Sequence, residues 1–362
     1  MKILHVITSL RAGGAEKLMT DLLPLFSKKG IDVELAVFDA TPTPFMDTLK
    51  AAGIKLHLFN SGGSVYNPRH IMQLRRLIES YDLIHTHNTA PQLFGAIANI
   101  GKGKIMITTE HNTTNRRRGN RMLRLIDRWM YRQYDHVICI SQGTAEALEE
   151  HLGMPQTNIS IVENGINTDE FINAMPADAL SSISGSDSRK IVMVAGFRAQ
   201  KDHPTLIKAM QHLPENFHLF LVGDGERRQE YEQLVSELDM THRVHFMGVR
   251  TDIPALLKES DYIVISSHYE GFCLVAAEGM CSGTPFIATD VPVLSTLVAG
   301  AGVLFKENDP ADLARKIMTL EKDETLRNTV SMRCVERGRR YDISHMATGY
   351  ISIYNDLITH RK

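Results

Sequence analysis

The sequence predicts an α/β protein made of two Rossmann-like, doubly wound parallel-sheet domains facing a cleft. Three observations predict it. Short apolar runs alternate with helix-like segments along nearly the whole chain. At 362 residues the chain exceeds a single ordinary hydrophobic core. The alternation is broken once, mid-chain, by Ser181-Ser182-Ile183-Ser184-Gly185-Ser186-Asp187-Ser188, which reads as a flexible loop.

In the first half, strands are expected at 3–8, 33–38, 55–59, 82–85, 104–109 and 136–140. Helices are expected between them, near 15–29, 44–52, 68–80, 89–100, 116–133 and 141–152. A second series starts with strand 191–195 and continues through 218–222, 244–247, 262–266 and 285–289. Helices near 310–322, 324–341 and 344–359 close the chain. The expected domains are therefore 1–165 and 166–343, with the terminal segment 344–362 packing back on the first.

Composition narrows the function. A formal net charge of -2 and a pI near 6.8 give no global attraction to nucleic acid. Cys139, Cys273, Cys281 and Cys334 form no CxxC pair, and 16 histidines show no HExxH-type spacing. Reduced thiols, a cytoplasmic location and no metal are expected. The first residues read as a strand rather than a signal peptide, and no apolar run is long enough to span a bilayer.

The most informative stretch is Glu270-Gly271-Phe272-Cys273-Leu274-Val275-Ala276-Ala277-Glu278. A buried strand, Tyr262-Ile263-Val264-Ile265, leads into it, and Gly283-Thr284-Pro285 stops the helical run that follows. One carboxylate at a strand-to-helix turn and another two turns into the helix can both look into the cleft above the strand ends, where open parallel sheets bind ligands. The helix start at 272–274 offers unpaired amides and a partial positive charge, a seat for phosphate. Carboxylates repel phosphate but accept hydrogen bonds from sugar hydroxyls. Together these features describe a reader of nucleotide sugars, although an amphipathic core helix with one solvated Glu fits the same pattern.

Three further features stand in the first half. Thr8-Ser9-Leu10-Arg11-Ala12-Gly13-Gly14-Ala15-Glu16 places glycines after the first strand, where a backbone can approach a ligand. The loop lacks G-x-G-x-x-G, so a dinucleotide site is not indicated, and a plain βα turn also fits. His111 follows strand 104–109 and so belongs at the sheet's C-terminal edge. Next comes a basic run, Arg116, Arg117, Arg118, Arg121, Arg124, Arg128 and Arg132, with Asp127 as its one acid. Residues 117, 121, 124, 128 and 132 share one helix face, with Met122, Ile126, Trp129 and Met130 on others. That stripe suits an anionic membrane surface or a pyrophosphate-bearing acceptor, or else a solvated face with internal ion pairs.

Taken together, the chain resembles a family 4 retaining glycosyltransferase of the GT-B fold. Glu270 and Glu278 match its E-x7-E signature, and Gly13-Gly14-Ala15-Glu16 its N-terminal loop. Val162-Glu163-Asn164-Gly165-Ile166 and Leu221-Val222-Gly223-Asp224-Gly225 match further segments, as do Asp82-Leu83-Ile84-His85-Thr86-His87 and Thr109-Glu110-His111-Asn112.

The resemblance implies transfer of a sugar from a nucleotide-diphosphate donor, UDP-linked by preference, to a hydroxyl of a glycan or lipid-linked glycan. It implies ribose contacts for Glu278, donor-sugar contacts for Glu270 and His111, and backbone contacts at Gly271, Phe272, Cys273 and Leu274. Lys201 would neutralise the diphosphate without a metal or other cofactor. One departure stands out: the family's usual Arg five residues before this Lys is replaced by Gly196, and Arg198 is the nearest cation. The expected location is cytoplasmic, peripheral at the inner face of the membrane. A nucleotide-sugar epimerase and a catalytically silent sugar-binding subunit are the rival readings.

Overall fold

The computed structural model describes all residues except 12, 61–62, 112–120, 154–157 and 361–362, together with the side chain of Arg121. The chain divides into two compact units, Met1–Gly165 with Ile343–Lys362, and Ile166–Asp342.

The first unit holds a seven-stranded, all-parallel sheet. Its strands are β1 (Lys2–Ser9), β2 (Asp32–Asp39), β3 (Lys55–Asn60), β4 (Leu83–His87), β5 (Ile105–Glu110), β6 (His136–Cys139) and β7 (Ile159–Ile161). Their order is β3-β2-β1-β4-β5-β6-β7. A parallel sheet is covered on both faces, so its strands are nearly continuous apolar runs rather than alternating ones. On one face, Leu18, Met19, Leu22, Leu23 and Phe26 of helix Gly14–Lys28 share a core with Met346, Tyr350 and Tyr354 of the terminal helix Ile343–His360. The terminal helix thus belongs to the first unit's core although the intervening chain builds the second.

The second unit holds six parallel strands in the order β10-β9-β8-β11-β12-β13. They are β8 (Arg189–Val194), β9 (Phe217–Val222), β10 (Val244–Gly248), β11 (Tyr262–Ile265), β12 (Phe286–Thr289) and β13 (Val303–Phe305). In each sheet the order reverses once, between β1 and β4 and between β8 and β11. The helices after those strands lie on opposite faces of the sheet, and the loops leading to them border the crevice where such sheets bind ligands.

Two differences from the sequence reading have causes outside the local sequence. Strands β7 and β13 are three residues each, too short to carry a pattern, and exist because they extend the sheets beside β6 and β12. The segment expected as a flexible loop begins with a helical turn, Ser181–Ser184. There Glu259 accepts hydrogen bonds from the amides of Leu180 (3.1 Å) and Ser181 (2.7 Å) and from the Ser181 hydroxyl (2.8 Å). A distant carboxylate satisfies amides that the local sequence leaves open.

Candidate active site

In the second unit, the loops after β8 and β11 meet at the point where the strand order reverses. Ser266 Oγ donates to the carbonyl oxygens of Lys201 (3.1 Å) and Asp202 (2.8 Å). The His268 amide donates to Gln200 O (2.9 Å), and Gln200 Nε2 to Tyr269 O (2.6 Å). This stitching brings Lys201 Nζ to 2.5 Å from Glu270 Oε1, which also accepts from Ser267 Oγ at 2.6 Å. Burial is the largest single effect and would lower the Lys201 pKa, but the Glu270 charge, Cys273 and the Glu270 hydrogen bond together raise it, against a smaller opposing effect of Arg198. Arg198 is exposed and near enough for its charge to reach Lys201.

Glycine is required beside this loop. The turn Gly223-Asp224-Gly225 crosses the backbone after β8 so closely that a Cβ at Gly223 would lie 2.1 Å from Ala195 O, and one at Gly225 2.6 Å from Phe197 O. Gly223 also takes φ 141°.

The E-x7-E segment runs from a strand end into a helix, as its sequence suggested. Helix Leu274–Cys281 starts after Cys273, which takes the left-handed conformation at φ 69°, and no side chain caps it. Its first amides stay available to an anion. Glu270 and Glu278 are both buried, and both charges help to raise the Cys273 thiol pKa, behind burial as the main cause. The two carboxylates therefore flank the helix start, and Cys273 stays a protonated thiol rather than a nucleophilic thiolate. The Phe272 ring packs edge-on against Tyr341 with centroids 5.3 Å apart, so its side chain serves the core and only its backbone faces the loop.

In the first unit, Gly13 is exposed, extended at φ -174°, and caps helix Gly14–Lys28. Glu16 Oε1 accepts from Asn88 Nδ2 at 3.3 Å, tying the loops after β1 and β4 together. His111 stands half-buried just past β5. Its Nε2 lies 3.1 Å from His87 Nδ1, and His87 Nε2 lies 3.0 Å from His5 Nδ1. Burial depresses His111 to about 4 and His5 to about 3, and holds His87 well below its ordinary value. His85 is occupied elsewhere, with Nδ1 2.7 Å from the Tyr354 hydroxyl and Nε2 2.7 Å from Thr109 Oγ1. Sequence reasoning found His111 but missed its partners. Four histidines on or just past three neighbouring strands were the available signal, and only strand register turns three of them into a chain.

The arginine stripe is placed only in part. Arg117 lies outside the described residues, as does the side chain of Arg121. Arg124 and Arg128 are not an open cationic face. Arg128 Nε donates to Leu152 O, and the Arg124 guanidinium lies over Gly153, the C-terminal cap of helix Gln142–Leu152. A helix C-terminus attracts cations, and that attraction turns these two side chains inward. Among its described side chains, helix Arg121–Tyr131 exposes apolar ones: Met122 is 77% exposed, Leu125 64%, Ile126 44% and Trp129 38%. These four fall at i, i+3, i+4 and i+7, one stripe of the helix.

Two all-parallel, doubly wound units with loops converging at their switch points define the GT-B class of α/β enzymes. A family model described as glycosyl transferases group 1 matches residues 179–340, and one described as glycosyltransferase family 4 matches residues 12–170. The chain belongs to this glycosyltransferase family. It is 24% identical over 353 residues to the UDP-Gal:α-D-GlcNAc-diphosphoundecaprenol α-1,3-galactosyltransferase of Escherichia coli, covering 92% of this chain and 91% of the relative. It is 27% identical over 290 residues to the N-acetyl-α-D-glucosaminyl L-malate synthase of Bacillus anthracis, covering 77% and 76%. Among solved structures, Anabaena HepE in complex with UDP-glucose superposes with a TM-score of 0.87 at 21% identity, covering 98% of this chain and 100% of that one.

Proposed function

We propose that this glycosyltransferase moves a sugar, with retention of anomeric configuration and without a metal, from a UDP-sugar to a hydroxyl of a lipid-linked glycan in polysaccharide synthesis. The observation that carries the reading is the Lys201–Glu270 ion pair beside an uncapped helix start at the second sheet's switch point. Glu270 holds the ammonium in place, and its remaining N–H donors serve the diphosphate, joined by Arg198 and the amides at Cys273 and Leu274. Glu278 accepts from the ribose hydroxyls. Glu270, the Gly271 backbone and His111 contact the donor sugar, and the Gly13-Gly14 backbone borders it.

In the reaction the acceptor oxygen bonds to the anomeric carbon on the face from which the phosphate departs. The bond from that carbon to the phosphate oxygen breaks, and the acceptor's proton passes to the departing phosphate. Lys201 stabilises the charge that develops there. The UDP preference is supported by the donor in the Escherichia coli relative's name and by the UDP-glucose in the HepE complex. The lipid-linked acceptor is supported by the diphosphoundecaprenol in that same name.

The test is a thermal-shift panel of UDP, GDP, ADP and their sugars, because a ligand raises apparent stability according to its affinity. UDP and a UDP-sugar are expected to raise the melting temperature most. An equal or larger shift with GDP or ADP overturns the base assignment.

Membrane contact at the inner face is part of this proposal, with a changed basis. No described helix is long and apolar enough to cross a membrane. The stripe Met122, Leu125, Ile126 and Trp129, flanked by the basic run, instead has the form of a helix lying in an anionic interface. Sedimentation with phosphatidylglycerol vesicles is expected, and is expected to fail for Ile126→Glu and with phosphatidylcholine alone. Undiminished binding by Ile126→Glu would exclude this face.

A further inference from the structure

Three rings in the first unit form a line from the core to the candidate site: His5 Nδ1 to His87 Nε2 (3.0 Å), then His87 Nδ1 to His111 Nε2 (3.1 Å). All three are neutral at ordinary pH, since burial depresses each. A neutral imidazole carries one N–H, so His87 can donate on one side only and must accept on the other. Both contacts are hydrogen bonds only when the line runs in a single direction.

The two directions differ at the buried end. His5 is wholly inaccessible to solvent, and its Nε2 has no hydrogen-bond partner among the described residues. If the line runs outside-in, His5 carries its proton on Nε2 and leaves an N–H orphaned in the core. If it runs inside-out, His5 donates through Nδ1 and leaves only a bare lone pair. Orphaned buried N–H groups are the rarer and costlier defect. We propose that His5 and His87 are positioning residues that hold His111 in its Nδ1–H form, so that it offers the donor sugar a proton donor rather than a base. The functional half of this proposal rests on the reading of His111 as a sugar contact.

A metal is not what these rings are arranged to hold. His5, His85 and His87 each bring a nitrogen within 4.8 Å of the others. Both nitrogens of His85 and His87 are already engaged, however, and the group contains no carboxylate to balance a buried dication.

The experiment is nitrogen NMR on the full chain with labelled histidine, at pH 7.5 without donor, His111 being assigned from a His111→Gln sample. Protonation of His87 and His111 on Nδ1 is expected, and a His111 protonated on Nε2 overturns the proposal outright. His5→Phe keeps a ring of similar shape but removes the N–H. It should release His111 to the Nε2–H form and lower kcat about tenfold, some 1.4 kcal/mol in barrier, with donor KM unchanged. His5→Asn, whose amide nitrogen replaces Nδ1–H, should restore both tautomer and kcat. A His5→Phe protein that loses activity while His111 keeps its tautomer refutes the relay. The expected tautomer, together with sugar transfer indifferent to His111→Gln, would instead refute the role given to His111.

Discussion

Acidification from pH 7.5 to 5.5 should strip the first unit of much of its stability, and the size of the effect follows from four rings. His5 and His111 have folded pKa values of about 3 and about 4, and His85 and His87 lie well below their ordinary 6.5, in every case chiefly through burial. The folded pKa is depressed, so the unfolded chain takes up protons that the native state refuses. Stability is therefore complete above pH 6.5 and falls as the pH drops below it. Each ring forfeits about 1.4 kcal/mol per pH unit in that window. Because the His5 and His111 values lie below 5.5, their loss at pH 5.5 does not depend on how deep each shift goes. These two rings lose about 3 kcal/mol, and His85 and His87 add to that loss in the same direction, against a whole stability of about 5–15 kcal/mol for a typical domain. Trp129, the chain's one tryptophan, stands in the first unit, so urea unfolding followed by its fluorescence reports on that unit. The expected outcome is a collapse of the midpoint between pH 6.5 and 5.5, with His5→Phe reducing the slope by about 1.4 kcal/mol per pH unit. A midpoint that holds within about 1 kcal/mol of its pH 7.5 value would refute the reasoning.

Other predictions concern the donor loops. Lys201→Met should lower kcat by about a hundredfold or more and destabilise the fold by about 2–3 kcal/mol, since Glu270 is left buried beside Ser267 alone. Adding Glu270→Gln to Lys201→Met should return most of the stability and none of the activity; recovery of turnover would contradict the role of Lys201. Glu278→Ala should raise donor KM roughly tenfold or more with kcat little changed, and an unaltered KM would remove Glu278 from the ribose site. Cys273→Gly should cost less than about 1 kcal/mol despite burial, because it relieves the left-handed strain at φ 69°. Cys273→Val should cost more than Cys273→Gly in thermal unfolding, its branched Cβ fitting that conformation worst.

Much of the architecture is written locally. Parallel strands buried on both faces become continuous apolar runs, so β1 to β6 and β8 to β12 were visible at nearly their true positions. Strands β7 and β13 were not, because three residues hold no period. The E-x7-E segment was equally legible, since its two carboxylates, its strand and its helix stop are contiguous. The inward turn of Arg124 and Arg128 was not legible, for the opposite reason. Their shared face is a property of one helix, but its orientation is decided by Gly153 and Leu152 at the end of another.

By itself the sequence determined the two βα series, the glycosyltransferase loops and the residues proposed for the donor site. Each of those is set by periodicity or contiguity within a few tens of residues. Only the tertiary structure decided that Lys201 pairs with Glu270, that helix Arg121–Tyr131 turns an apolar face outward, and that His5, His87 and His111 stand in line. Those outcomes depend on which strands lie side by side and in what register, a matter settled by packing between segments far apart in the chain.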